Sequence, residues 1–259
     1  MAEARTTVGH RPVWVDLSSS DPAASRDFYS RLFGWQIEVN QDPQYGGYAL
    51  ARIGGRDVAG IGPKQSDEAP TAWMVYIGTQ DAEDTARKVE AAGGKVIAPP
   101  FDVGDQGRMA VFQDPSGAFV SAWQPSAMGG WTAPGTSNTF GWAELNARGF
   151  EKAVPFYQSV FGWTAKTSGM GEGQPPYTEF QIDGQSVAGG MEMNPMVPAQ
   201  VPSYWMVYFN VDDVDRACET AKGAGAQEMV APMDFPGGRF AILTDPQGAA
   251  FGLLRMQTR

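Results

Sequence analysis

WVDLSSSDPAASRDFYSRLFGW occupies residues 14–35, and WAELNARGFEKAVPFYQSVFGW occupies residues 142–163, 128 positions further on and without a gap. Repetition of this kind has to be settled before any other pattern is read, because it decides how many times one fold is used. The match extends outward on both sides. Tyr48 with residues 53–60 recurs as Tyr177 with residues 182–189, and WMVY at 73–76 stands unchanged at 205–208. Gly107 and Arg108 return as Gly238 and Arg239, and DPSGA at 114–118 returns as DPQGA at 245–249. The chain is two homologous halves, each long enough to bury a core of its own.

Composition narrows what such halves can do. Charged residues make up 19% of the chain and there are 32 glycines, a balance that suits turn-rich domains with much β structure and not disorder. The net charge of −10 argues against nucleic acid and anionic lipid as partners, since both need clustered Lys and Arg. Cys218 is the only cysteine, so intrachain disulfides and Cys-rich zinc sites are excluded. It lies on the stripe Val214, Ala217, Cys218, Ala221 and reads as a buried small hydrophobe. His10, the only histidine, sits in a start, MAEARTTVGHRP, that has no apolar core. No secretory signal and no membrane span are expected, and the chain reads as cytoplasmic.

In each half the periodicities predict β, α, β, β, β twice over. Val13, Val15 and Leu17 alternate with Trp14, Asp16 and Ser18 as in a strand. Asp21 and Pro22 then start a helix at N-cap and N1, the stripe Ser25, Phe28, Tyr29, Leu32, Phe33 marks its core side, and Gly34 stops it. Ala153, Phe156, Tyr157, Val160 and Phe161 trace the same stripe before Gly162. Further strands are expected at 35–40, 48–53, 58–62, 73–78, 95–98, 108–113 and 118–124, with a helix at 82–92. Residues 1–11 read as a loose tail, 12–124 as the first domain, 125–138 as a Gly/Pro-rich linker and 139–259 as the second domain. GMGEG at 169–173 reads as a hairpin loop, because the strand-to-helix context of a phosphate cradle is missing.

Paired βαβββ units, the FY-x3-FGW helix end and the DP-x-GA turn before the last strand resemble the vicinal oxygen chelate superfamily, which holds glyoxalases, extradiol dioxygenases and bleomycin-resistance proteins. The likeness is to two-domain members common in actinobacteria and covers nearly the whole chain. It implies an α+β fold of two tandem domains, each a pair of βαβββ units with its sheet cupped around a cavity. It also implies where a metal would be held. The first-strand ligand, seven residues before the capping Asp, falls on Trp14 and Trp142. The ligand opening the second unit falls on Met74 and Met206, and the closing Glu falls on Ser121 and Gly252. Where glyoxalases place a further ligand on the fourth strand, the first half has VAGIGP at 58–63 and the second has Glu192. A divalent metal needs about three imidazole, carboxylate or thiolate ligands, so no cofactor is expected.

The same positions offer something else. Residues i and i+2 of a strand share a face, so Asp16 accompanies Trp14 and Glu144 accompanies Trp142, with Met74 and Tyr76, or Met206 and Tyr208, beside them; Ser121 and Trp123 join the first half by the same parity. Rings for stacking, thioethers for adaptable packing and one carboxylate for orientation suit a flat aromatic or apolar compound, cations included. Each Trp and Met reads equally as ordinary core, and each carboxylate as a solvated strand end or a partner of Arg108 or Arg239. The resulting expectation is a metal-independent, bleomycin-resistance-like protein that binds such a compound for sequestration or metabolite handling, as a monomer or homodimer. The alternatives are a lyase, hydroxylase or dioxygenase-like enzyme using Asp16 or Glu144 as base, one using Asp16, Glu144 and Glu192 as oxygen ligands for a divalent metal, and a scaffold with vestigial cavities.

Overall fold

A computed structural model describes residues 9–128, 135–169 and 175–257. The first eight residues, the middle of the expected linker and the part of the GMGEG loop at 170–173 lie outside the described residues.

The first half forms β1 (Pro12–Ser19), α1 (Pro22–Phe33), β2 (Gln36–Val39), β3 (Ala49–Ile53), β4 (Arg56–Pro63), β5 (Ala72–Gly78), α2 (Ala82–Ala91), β6 (Lys95–Val103), β7 (Gly107–Gln113) and β8 (Phe119–Pro125). The second forms β9 (Phe140–Ala147), α3 (Phe150–Phe161), β10 (Thr164–Ser168), β11 (Tyr177–Ile182), β12 (Gln185–Glu192), β13 (Tyr204–Asn210), α4 (Val214–Gly223), β14 (Gln227–Phe235), β15 (Gly238–Thr244) and β16 (Ala250–Met256). The strands make two eight-stranded sheets, ordered β2-β3-β4-β1-β5-β8-β7-β6 and β10-β11-β12-β9-β13-β16-β15-β14. Within them β1 runs parallel to β4, β5 to β8, β9 to β12 and β13 to β16. This is the α+β arrangement of paired βαβββ units with cupped sheets that the family resemblance implies. β6 runs five residues past the expected end at Ala98, through Pro99 and Pro100. It is an edge strand with two register shifts, where a missing N–H costs no ladder bond.

The helices start and stop for reasons written in their ends. Asp21 Oδ1 accepts from Ala24 N at 3.0 Å, and Gly34 takes the left-handed conformation with φ 70°. In α3 the matching N-cap is Gly149, which has no side chain to offer. Glu192, at the end of β12, supplies the cap instead: its Oε1 accepts from Gly149 N at 3.0 Å and its Oε2 from Phe150 N at 2.8 Å.

Contacts divide the chain into two compact units, and each draws on both halves. One comprises Met1–Val13, Val75–Gly130 and Ala143–Trp205. Its centre is Tyr157, fully buried and stacked on Trp163 at 5.4 Å. The Tyr157 hydroxyl accepts from Trp205 Nε1 and donates to Asp114 Oδ2, both at 2.8 Å. Asp114 opens the DPSGA turn and uses its other oxygen there, accepting from Ser116 N and Ala118 N. Trp163 Nε1 also donates to the carbonyl of His10, whose Nδ1 lies 2.9 Å from Phe161 O. His10, read from sequence as part of a loose tail, is therefore bound.

The other unit comprises Trp14–Met74, Trp131–Trp142 and Met206–Arg259. Here Trp73 Nε1 donates to Tyr29 Oη and Tyr29 donates to Asp245 Oδ2, both at 3.0 Å. Trp35 stacks on Tyr29 at 5.8 Å and donates to Asn138 O at 2.7 Å. Phe33, Phe209 and Phe251 complete the ring cluster. In both units the tyrosine of the FY motif meets the aspartate of the other half's DP turn, so the two sequence signatures are halves of one buried contact.

Candidate functional site

Along β1, Val13, Val15 and Leu17 are fully buried, and Trp14, Asp16 and Ser18 project from the opposite face. Trp14 Nε1 donates to Tyr48 Oη at 3.2 Å, and that hydroxyl in turn points to Asp16 Oδ2 at 3.5 Å. The direction follows from the groups: indole can only donate and an ionised carboxylate only accept, so the phenol relays between them. Burial, with the Asp16 charge second, holds the Tyr48 phenol well above its ordinary value. It stays protonated, with Asp16 the nearest carboxylate to its hydroxyl in this chain of contacts.

Glycine makes this reach possible. Asp16 pairs in register with Gly60 of β4, and a Cβ on Gly60 would come within 1.7 Å of the Tyr48 hydroxyl; one on Gly62 would come within 3.0 Å of the ring. Tyr48 thus lies across the VAGIGP strand, where a further ligand was sought from sequence. In the sequence Tyr48 stands out only as a marker of the repeat. Its recurrence as Tyr177 ahead of a second glycine-bearing strand was the available signal. Met74, on β5 in the same unit, is half-buried.

Within the other unit, Tyr76 of β5 stands opposite Ser121 of β8, and both are buried. Ser121 Oγ is buried with no hydrogen-bond partner. Trp123 lies across Gly107, where a Cβ would fall 2.7 Å from its ring, and its Nε1 donates to Met128 O at 3.1 Å. Also in this unit, Glu144 of β9 accepts from Asn146 Nδ2 at 3.1 Å. Burial first and the Glu144 charge second raise the phenol of Tyr204.

In the second half Trp142 is half-buried and Met206 and Tyr208 are buried. Tyr208 lies on Gly252, its register partner, where a Cβ would sit 2.0 Å from the ring. Glu192 is exposed and both its oxygens are engaged at the start of α3, so the structure gives it a capping role in place of the ligand role considered from sequence.

The arginines weighed as partners for Asp16 and Glu144 are engaged elsewhere. Arg108 pairs with Glu83 and Asp102, and Arg239 with Asp215 and Asp234. Cys218 is buried and its thiol is pushed up to about 11, by burial and then by Glu228, so it is no nucleophile at neutral pH. A cavity of about 480 Å³ beside the start of α4 is lined by Asp213, Asp215, Asp234, Arg239 and Arg255, none of them singled out from sequence as site residues. Among the described residues no three His, Cys, Asp or Glu side chains come together as a metal site requires. The donor set at the family positions, indole, thioether, hydroxyl and glycine, does not fit a divalent cation. No helix among the described residues is long and apolar enough to cross a membrane.

Comparison with known proteins gives these positions their context. The family described as the Glyoxalase/Bleomycin resistance protein/Dioxygenase superfamily matches residues 11–121 and again 139–253. CFP32 of Mycobacterium tuberculosis, whose name classes it provisionally as a glyoxylase, is 40% identical over 249 residues, 94% of each chain. The anthracycline biosynthesis protein DnrV of Streptomyces peucetius is 37% identical over 260 residues, 95% of this chain and 93% of that one. Among solved structures, the Mn(II)-bound glyoxalase of Novosphingobium aromaticivorans superposes with a TM-score of 0.68 at 17% identity, covering 96% of this chain and 82% of that one.

Proposed function

The chain belongs to the Glyoxalase/Bleomycin resistance protein/Dioxygenase superfamily through both of its halves, and from that membership we propose that it is a metal-independent binder of a small, flat aromatic compound. The observation that carries this reading is the Trp14–Tyr48–Asp16 chain. At the position where the family resemblance implies a metal ligand, an indole is fixed by a protonated phenol, and the phenol is aimed at a carboxylate. Trp14 is itself buried, so the half-buried Tyr48 ring and Asp16 are the aromatic surface and the carboxylate that a guest would meet, and the group supplies no Lewis acid. The relationship to DnrV, named for anthracycline biosynthesis, supports aromatic polyketides as the class of compound; holding or presenting such a metabolite is the role we infer from the absence of a fitting metal donor set.

The test combines metal analysis of the purified protein with tryptophan-fluorescence titrations against 1-naphthol and 1,8-dihydroxyanthraquinone. Substoichiometric metal and saturable quenching by either aromatic, unaffected by chelator, are expected. Stoichiometric Mn, Fe, Ni or Zn, or the absence of saturable binding to both compounds, overturns the reading.

A further inference from the structure

Resting on that reading, we propose that the chain has a place for the aromatic compound besides the Trp14–Tyr48–Asp16 group, the β5–β8 face of the first half with Ser121 as its hydrogen-bonding anchor, and that the equivalent face of the second half is closed. Two cross-strand rows build the first face. Tyr76, Ser121 and Val111 are register partners across β5, β8 and β7; Trp123, Met109 and Phe101 are register partners across β8, β7 and β6. The second row is apolar and runs from buried Trp123 through half-buried Met109 to Phe101, which is 44% exposed on an edge strand. An aromatic ring meets an indole, a thioether and a phenyl there, which together accept a flat guest without demanding one shape.

Ser121 is the unusual member of the first row. A buried hydroxyl left without a partner costs stability, and replacement by alanine or glycine would remove that cost. The Ser121 hydroxyl is nonetheless present, buried and without a partner, at a position where the second half carries glycine. A ligand hydroxyl or ring carbonyl supplies the missing bond.

The second half shows the contrasting arrangement. Gly252 replaces Ser121, and the Tyr208 ring fills the space its side chain would need. Phe240, of the second row with Leu254 and Met233, packs edge-on against Tyr208 of the first at 6.4 Å, so the protein's own rings join the two rows. No orphaned polar atom is found at that position among the described residues. The rim residue there is Met233, 48% exposed, which matches Phe101 in place and exposure.

The experiment compares 1-naphthol with 1-methylnaphthalene, which differ in the hydroxyl, on wild type and on Ser121→Ala, Phe101→Ala and Met233→Ala. Ser121→Ala is expected to weaken 1-naphthol about fivefold to tenfold, the effect of one hydrogen bond, and to leave 1-methylnaphthalene unchanged. Its melting temperature should equal or exceed that of wild type, because an unpaired buried hydroxyl has been removed. Phe101→Ala should weaken both probes and Met233→Ala neither. Equal effects of Ser121→Ala on both probes, no effect on either, or a loss on Met233→Ala alone overturns this assignment while leaving the proposed function standing. Failure of wild type to bind both probes overturns this inference, and failure to bind 1,8-dihydroxyanthraquinone as well overturns the proposed function with it.

Discussion

Tyr29→Phe removes one oxygen from the centre of a compact unit and leaves the ring in place. The lost oxygen accepts from Trp73 Nε1 and donates to Asp245 Oδ2, each at 3.0 Å, in full burial. Losing a bond to a carboxylate costs about 1.5–3 kcal/mol, and leaving the indole N–H buried without an acceptor costs about 1–3 kcal/mol. Asp245 keeps the backbone donors of Gln247 and Ala249 on its other oxygen, so the lower part of each range applies and the total is about 3–4 kcal/mol. Urea unfolding followed by fluorescence should show the midpoint falling at constant slope, in one transition, since residues 216 positions apart are joined by the bond. Tyr157→Phe should behave alike. A loss below about 1 kcal/mol would refute the idea that this contact locks the halves together. The carboxyl of Asp245 adds a pH signature. Burial raises it above its ordinary value, outweighing the Ala249, Tyr29 and Gln247 donors. Between its unfolded and folded values the native state therefore holds more protons, so the contribution of Asp245 is full below the unfolded value and is lost as pH rises through the folded one. Tyr29→Phe deletes a donor that lowers the folded value, so the decline should extend to higher pH.

Gly60→Ala should cost about 1–3 kcal/mol through overpacking against the Tyr48 hydroxyl, and Tyr48→Ala in the same chain should relieve most of that added cost; additive losses in a double-mutant cycle would show that Tyr48 does not lie over Gly60. Glu192→Ala should lower stability by about 1 kcal/mol, as loss of an N-cap does; an unchanged urea midpoint would exclude the capping role. Cys218, with its thiol at about 11, should be about one-thousandth thiolate at pH 8 and resist iodoacetamide until the chain is unfolded in urea; rapid labelling of the native protein would contradict its burial.

The architecture was open to sequence reading because its devices are local and occur twice. Asp21 with Pro22, the glycines at 34 and 162 and the DP-x-G turns act within a few residues of themselves, so a linear pattern records them. What the pattern could not record is that Asp114 and Asp245 use one oxygen for their own turn and send the other to a tyrosine of the opposite half. Nothing in DPSGA or FYSRLFGW taken alone announces that pairing. Only the compact units, each drawn from both halves, bring the two motifs together. The end of β6 was missed for a simpler reason: Pro99 and Pro100 read as strand breakers unless the strand is known to lie at a sheet edge.

At the site, comparing the halves position by position explains more than either half alone. Glu192 looked like an oxygen ligand without a mate, and the missing mate is accounted for at Gly149: the first half caps its helix with Asp21 and needs no carboxylate at the end of β4. Gly252 looked like a lost ligand, and the loss is accounted for by Tyr208, which cannot lie where it does if a Cβ is present. Tyr48 stands over Gly60 by the same steric rule, with a hydrogen-bond chain added through Trp14 and Asp16. In each case the small residue marks the place where another side chain has moved in, so a glycine at an expected functional position directs the search to the ring that covers it. Ser121 fits no such exchange: it has neither been reduced to glycine nor been given a partner. The anchoring role proposed for Ser121 rests on that difference between the halves, and the contrast between 1-naphthol and 1-methylnaphthalene on Ser121→Ala decides whether the unpaired hydroxyl is a contact for a molecule other than the chain itself.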